Sequence, residues 1–277
     1  MQTTTAFVIN EKNYDTETGT FRVRFQQPQD FHNAEIALAQ ASLYNSFPNV
    51  SSALGNNQFS LFFPDGAGHK EFQFTAPEGY YGTANFMIWL KKQMDSLKLY
   101  TLEADLKTKN YHIALETNNS YQVMISHFIV PSTANLPASS PISVPTTYNQ
   151  SPYFVFPLGL SRIFGYTFQQ IGNGTGTQHI KSDTTPHPNI VSSVILECNL
   201  VNNGKITRPA QMLSVFATGN VGYGSLITIE NPKLQYHRIA NNRYEELVVS
   251  FRDQNLNILR SITDPNALIL LSIKQKK

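Results

Sequence analysis

The sequence predicts an all-β protein: a single jelly-roll antiparallel β-sandwich spanning residues 1–277, with one short helix and long loops. Three observations predict it. Apolar residues recur with a period of two in stretch after stretch. A helical period occurs with clarity only once. The chain also closes on an apolar run, Ala267 to Ile273, which reads as a strand covered on both faces.

The elements follow in order. After a polar start, Thr20 to Gln26 alternates Phe21, Val23 and Phe25 against Arg22 and Arg24, a strand with one buried face. Ala34 to Tyr44 fits a helix through Ile36, Leu38 and Leu43, or a strand face of Ile36, Leu38, Gln40 and Ser42. The strand is favoured, followed by a loop from Asn45 to Asn56. Gln58 to Pro64 and Lys70 to Thr75 form a hairpin about Pro64-Asp65-Gly66. Thr83 to Ser96 is the helix, with Thr83 as cap and Phe86, Trp89, Leu90 and Met94 as its apolar stripe; Trp89 reads as core. Short strands follow at 97–102, 111–116 and 121–125, the last two joined by a turn at 117–120.

Residues 131–150 carry four prolines among Ser, Thr and Ala and read as an extended loop. Pro152 to Tyr166 reads as a short strand leading into a helical turn. A second polar loop opens at Gly172-Asn173-Gly174-Thr175-Gly176 and runs to Pro188. Strands resume at 191–201, 210–217, 225–229 and 234–237. In the closing stretch Leu247, Val249 and Phe251 face one way. Asp253-Gln254-Asn255 turns the chain, Leu256 and Ile258 pair back, and Asp264-Pro265-Asn266 leads into the final strand. No internal repeat or compositional boundary divides the chain.

Composition narrows the function. Charged residues are 14% of the chain, against a globular norm of about 25%. That suits a surface covered by neighbours, because interface cores are depleted in charge; it equally suits a compositional habit of β-rich proteins. Net charge is +2, and Lys274, Lys276 and Lys277 form the one basic cluster. Solvated terminal lysines account for it better than contact with nucleic acid. The single Cys198 excludes an internal disulfide and lies in an apolar run, as a buried thiol would. The first residues lack an export signal, and no window approaches the ~18 uncharged apolar residues of a membrane span. A soluble protein made in a reducing compartment is the expectation, which leaves the sequons at Asn49, Asn118 and Asn173 without weight.

No constellation for catalysis emerges. The seven histidines, at 32, 69, 112, 127, 179, 187 and 237, form no metal-binding pair in sequence and read as surface or capping residues. Gly172 to Gly176 lacks the strand-to-helix context and following Lys of a phosphate loop, and reads as a flexible loop. Glu245 and Glu246 are adjacent on a strand and point to opposite faces, wrong for shared acid–base work. Apolar surroundings raise rather than lower the pKa of Cys198. The sequence therefore predicts no enzyme: no catalytic, cofactor-binding or metal residue is assigned, and no cofactor.

Phe154 to Tyr166 (FVFPLGLSRIFGY), Val191 to Asn203 (VSSVILECNLVNN) and Phe251 to Lys274 resemble, in order, segments of a known family. So do Ala34 to Phe63 and Phe74 to Met94. That family is the penton-type minor capsid proteins of Polinton/Maverick elements, adintoviruses and virophage-like elements. The chain departs from it at Phe164-Gly165-Tyr166, where relatives have Leu-Gly-Phe. The family's major capsid protein is a double jelly roll needing roughly 400 residues, whereas one sandwich with loops suits 277.

The resemblance implies a homopentamer at the fivefold vertices of an icosahedral dsDNA virus or virus-like element. Its partners would be itself and the double jelly-roll major capsid protein, with a vertex spike or host receptor docking on it. Its location would be the virion, after synthesis in host cytoplasm or nucleus. A different class of reading is a jelly-roll module that recognises a carbohydrate or cell-surface receptor through its thirteen tyrosines and Asn-rich loops. A cupin-type metal enzyme is the weakest reading, because the His cluster it needs is absent.

Overall fold

The structure is a computed structural model and describes residues 2–117, 122–202, 211–219, 221–259 and 267–276. The first strands are β1 (Gln2–Asn10), β2 (Tyr14–Asp15), β3 (Thr20–Phe31) and β4 (Ala34–Tyr44). A hairpin of β5 (Gln58–Asp65) and β6 (Gly68–Thr75) precedes the helix α1 (Thr83–Ser96). Then come β7 (Thr101–Leu102), β8 (Lys109–Asn110), β9 (Ile113–Thr117), β10 (Val123–His127) and β11 (Tyr153–Val155). A short helix α2 (Leu158–Ile163) leads to β12 (Gln170–Ile171) and β13 (Gln178–Lys181). The chain finishes with β14 (Ser193–Cys198), β15 (Met212–Ala217), β16 (Leu226–Glu230), β17 (His237–Arg238), β18 (Asn242–Arg252) and β19 (Leu268–Lys276).

Every ladder among the described residues is antiparallel, and the protein is all-β as its periodicity predicts. The chain divides into two compact units, Met1–Phe47 with Val191–Lys277, and Pro48–Ile190. No change of composition marks either crossing.

The first unit has two five-stranded sheets. One runs β1-β19-β4-β16, with β17 also on β4; the other runs β15-β14-β18-β3-β2. Their inner faces bury Ile9, Ile36, Leu38, Ala41, Leu43, Ile269, Leu271 and Ile273 from one side. Phe21, Leu196, Cys198, Leu247, Val249 and Phe251 come from the other. Burying each large aliphatic or aromatic side chain contributes about 1.5–3 kcal/mol.

Two irregularities explain what simple alternation misses here. In β4 a bulge falls opposite Leu270/Leu271, so the buried set changes from Ile36 and Leu38 to Ala41 and Leu43. The face of Ile36, Leu38, Gln40 and Ser42 expected from a strict period of two is therefore broken at Ala39. In β3 the ladder to β18 skips between Gln29 and Arg24, around Pro28, which has no N–H to contribute.

The closing strand also differs from expectation. Ile269, Leu271 and Ile273 are buried, but Leu268 and Leu270 on the outer face are only half-covered. After β18, Asp253 does turn the chain. Its carboxylate accepts from the Asn255 and Asn257 N–H groups at 2.8 Å each, and Ile258 bridges back to Arg252. Asp264-Pro265-Asn266 lies outside the described residues, as do Asn118 and most of the turn expected at 117–120.

The second unit packs aromatic residues around α1. Its sheets run β12-β11-β5-β6, β13-β10-β9 and β7-β8. Phe59, Phe63, Phe74, Phe86, Phe154, Phe156, Phe164 and Tyr166 are buried with Leu90 and Met94. Trp89 packs partly buried against this cluster, edge-on to Phe59 and Phe74. The helix starts where expected, but its N-cap is Gly82, with no side-chain cap from Thr83. Residues 172–188, expected as a loop, contain β13, whose backbone pairs with β10.

Candidate functional site

The residues that could carry chemistry are dispersed, and most have structural employment. Among the described residues, no group of three or more His, Cys, Asp or Glu comes together to hold a metal ion. No described helix is long and apolar enough to cross a membrane.

Two histidines are core residues rather than surface or capping residues. His127 is fully buried against Phe154, and burial pushes its pKa down to about 4, with the Pro152 carbonyl pulling weakly the other way. It shares a face with Val123 and Ile125, a period of two that the sequence shows plainly. His112 is buried too and is likewise pushed down to about 4; its Nε2 lies 2.7 Å from the Thr101 hydroxyl. Its positive φ of 57° breaks the alternation into β9, so periodicity gives no sign of its burial. His69 contacts the Ser151 carbonyl at 2.9 Å, and His179 contacts the Ser126 hydroxyl at 2.8 Å.

The glycine loop is docked, not free. Gly174 accepts from the Ser151 N–H at 3.0 Å, and Gly176 donates to the Asn149 carbonyl at 2.8 Å. Gly172 and Gly174 have positive φ, and a Cβ on either would approach Tyr153 or His69 to 2.8 Å. Glycine is there for close backbone approach. Asn173 is engaged in the turn, accepting from the Thr175 N–H at 3.0 Å. The Pro-rich stretch is likewise tacked down: Asp65 accepts from the Ser143 N–H at 2.7 Å, and Lys70 donates to the Pro141 carbonyl at 2.9 Å.

Asn49 is fully buried. Its amide donates to the Tyr81 and Pro188 carbonyls at 2.9 and 3.0 Å, and its carbonyl accepts from the Tyr81 N–H at 2.7 Å. Cys198 is buried, and desolvation pushes its thiol up to about 12. Glu246 pairs with Arg22 at 3.0 Å, while Glu245 sits at the irregularity of the ladder. Lys274 is not a loose tail lysine: it pairs with Glu35 at 2.6 Å and lies 3.7 Å from the centre of the Tyr236 ring.

What remains unfilled on the first unit is surface. Between β1 and β3 opens a groove of about 310 Å³ lined by Phe7, Phe25, Phe31 and Ile273 together with the polar Thr5, Gln26, Gln29 and Gln275. Phe7 and Phe25 meet edge-on across it at 6.0 Å. Val8 on the outer face of β1 is 61% exposed. Among the described residues β1 is hydrogen-bonded along one side only, and its polarity, at five of the nine positions of QTTTAFVIN, hides this edge in the sequence. Thr is at home in strands, and Thr5, Phe7 and Ile9 do alternate.

Neither a family model nor a curated protein matches the chain. Solved structures do. The crystal structure of the mavirus penton protein is similar over 99% of this chain and 98% of that one, at 10% identity and a TM-score of 0.48. A chain in the cryo-EM structure of the Sputnik virophage is similar over 100% of this chain and 98% of that one, at 10% identity and a TM-score of 0.46.

Proposed function

We propose that this chain is a structural capsid protein, the penton subunit that closes fivefold vertices as a homopentamer, with residues 1–277 acting as one subunit. One observation carries the reading. The described histidines and carboxylates gather into no metal-binding cluster, while an uncharged sheet edge and a groove lined by Phe and Gln side chains are left open on the first unit. Such an edge is a template for pairing with another chain. The segments that resemble penton-type proteins also form the framework: Val191 to Asn203 supplies β14, Phe251 to Lys274 supplies most of β19, and Phe154 to Tyr166 supplies α2 with its buried aromatics.

Function in this reading is assembly. Each subunit contributes modest, mostly uncharged contacts that symmetry repeats five times through two different patches. The double jelly-roll major capsid protein is the outer partner, and the virion is the location. Negative-stain microscopy of purified protein tests this. Fivefold rings, and incorporation when a major capsid protein is co-expressed, support it; a chain that stays monomeric and is left out of the shell contradicts it.

A further inference from the structure

The first unit has unlike flanks. On one, β1 and β3 border the open groove. On the other, β15 lies by β4, and the His237 imidazole reaches the Leu213 backbone. Natural sheets protect their edges with charge, proline or brevity. Most described edge strands longer than two residues obey this: Lys70 and Glu71 in β6, Glu116 in β9, Lys181 in β13 and Glu230 in β16, as do Arg22, Arg24 and Pro28 in the part of β3 beyond its two-residue pairing with β2. Two do not. β1 (QTTTAFVIN) has no charge, no proline and an unbroken register with β19 over nine residues. β15 (MLSVFA) has no charge and no proline, and beyond its bulge the stretch Ser214 to Ala217 is regular. These two unprotected edges lie on opposite flanks of the same sandwich.

We propose that β1 of one copy pairs with the Ser214–Ala217 edge of β15 in a second copy, and that this head-to-tail contact is the subunit interface. The inference rests on the self-assembly reading above and names its surfaces. A second copy is the fitting occupant because the free backbone groups of β1 need another unprotected strand, and among the described strands β15 is the other one. An added strand places every second side chain over the groove. Either register of Ser214–Ala217 supplies an apolar one there, Val215 or Phe216, to cover Phe7 and Phe25. Val215 is 51% exposed in the isolated chain. Because the paired surfaces differ, the contact leaves one free flank of each kind, and only a ring satisfies both.

Two lysine variants test this at positions exposed in the single chain. Thr5→Lys puts a charge into the groove; Val215→Lys puts one on the opposite edge. The expected result is that wild type forms rings, while each variant alone, melting as wild type does, associates at least tenfold more weakly and runs as a monomer. Mixed one to one, they should give heterodimers that grow no further, since Val215→Lys keeps an intact β1 and Thr5→Lys keeps an intact β15. Should Thr5→Lys unfold, Ala6→Lys on the exposed outer side of the same strand replaces it. Rings that survive both lysines, or variants that never pair when mixed, overturn the inference and leave the capsid reading standing. A wild-type chain that is monomeric and excluded from capsids removes both.

Discussion

The Tyr166 hydroxyl donates to the Ile180 carbonyl at 2.8 Å and, from the same oxygen, accepts from the N–H of Ile125, the residue paired with Ile180 across β10 and β13. Tyr166 is fully buried, and burial raises its pKa, so the phenol stays neutral and able to donate. Tyr166→Phe keeps the ring and strands both backbone groups. It should cost about 1–3 kcal/mol, because a buried group left without its partner bears its full desolvation penalty. Urea unfolding of wild type and variant measures this; an unchanged midpoint would contradict it.

Gly165, one residue earlier, has a φ of 85°, and a Cβ there would meet the Thr184 carbonyl oxygen at 2.4 Å. Gly66 also has positive φ, 56°, but open space around it. Gly66→Ala should cost only the conformational term of about 1–2 kcal/mol. Gly165→Ala must also displace backbone and should cost roughly 3 kcal/mol or more. Equal shifts in thermal midpoint would show that the close approach does not matter.

His112 and His127 make the second unit acid-sensitive. Both have folded pKa values near 4, against an ordinary 6.5. Above pH 6.5 neither state binds the proton, and no stability is lost. As pH falls from about 6.5 towards 4, the unfolded chain takes up protons that the folded one refuses. Each histidine then removes about 1.4 kcal/mol per pH unit. Denaturant titrations between pH 7.5 and 4.5 should show this slope in wild type and a shallower one in the His112→Gln/His127→Gln variant. Parallel slopes would refute it.

Cys198 should be inert in the native protein. Its thiol is buried and pushed up to about 12, which leaves little thiolate near neutral pH. A thiol-reactive chromogenic disulfide should label it only after denaturant is added, and prompt labelling of folded protein would count against its burial.

Much of this fold is legible in the sequence where one physical rule dominates. The helix Thr83 to Ser96 and the strand Ala34 to Tyr44 lie within the predicted bounds, the first through its apolar stripe and the second as the favoured of two periodicities that the stretch fits. Asp253 announces its turn, and Cys198 its burial. Reading fails where two rules compete. Polarity hid β1, because Thr is at once a polar residue and a good strand former. The bulge at Ala39 disguised which face of β4 is buried. His127 could have been found from its place in the alternation with Val123 and Ile125, but the positive φ of His112 leaves no periodic trace. The surfaces proposed for assembly depend on which strands end up at sheet edges. That follows from pairings as distant as β1 with β19, which no local pattern encodes.

The most direct test of the central claim is the native mass of the purified chain at micromolar concentration and above. The account predicts a closed pentamer, five times the 31.1 kDa of one chain, reverting to monomers when lysine is placed on β1 or β15. A mass that stays at one chain under these conditions, in a protein that also fails to join co-expressed major capsid protein, would contradict it.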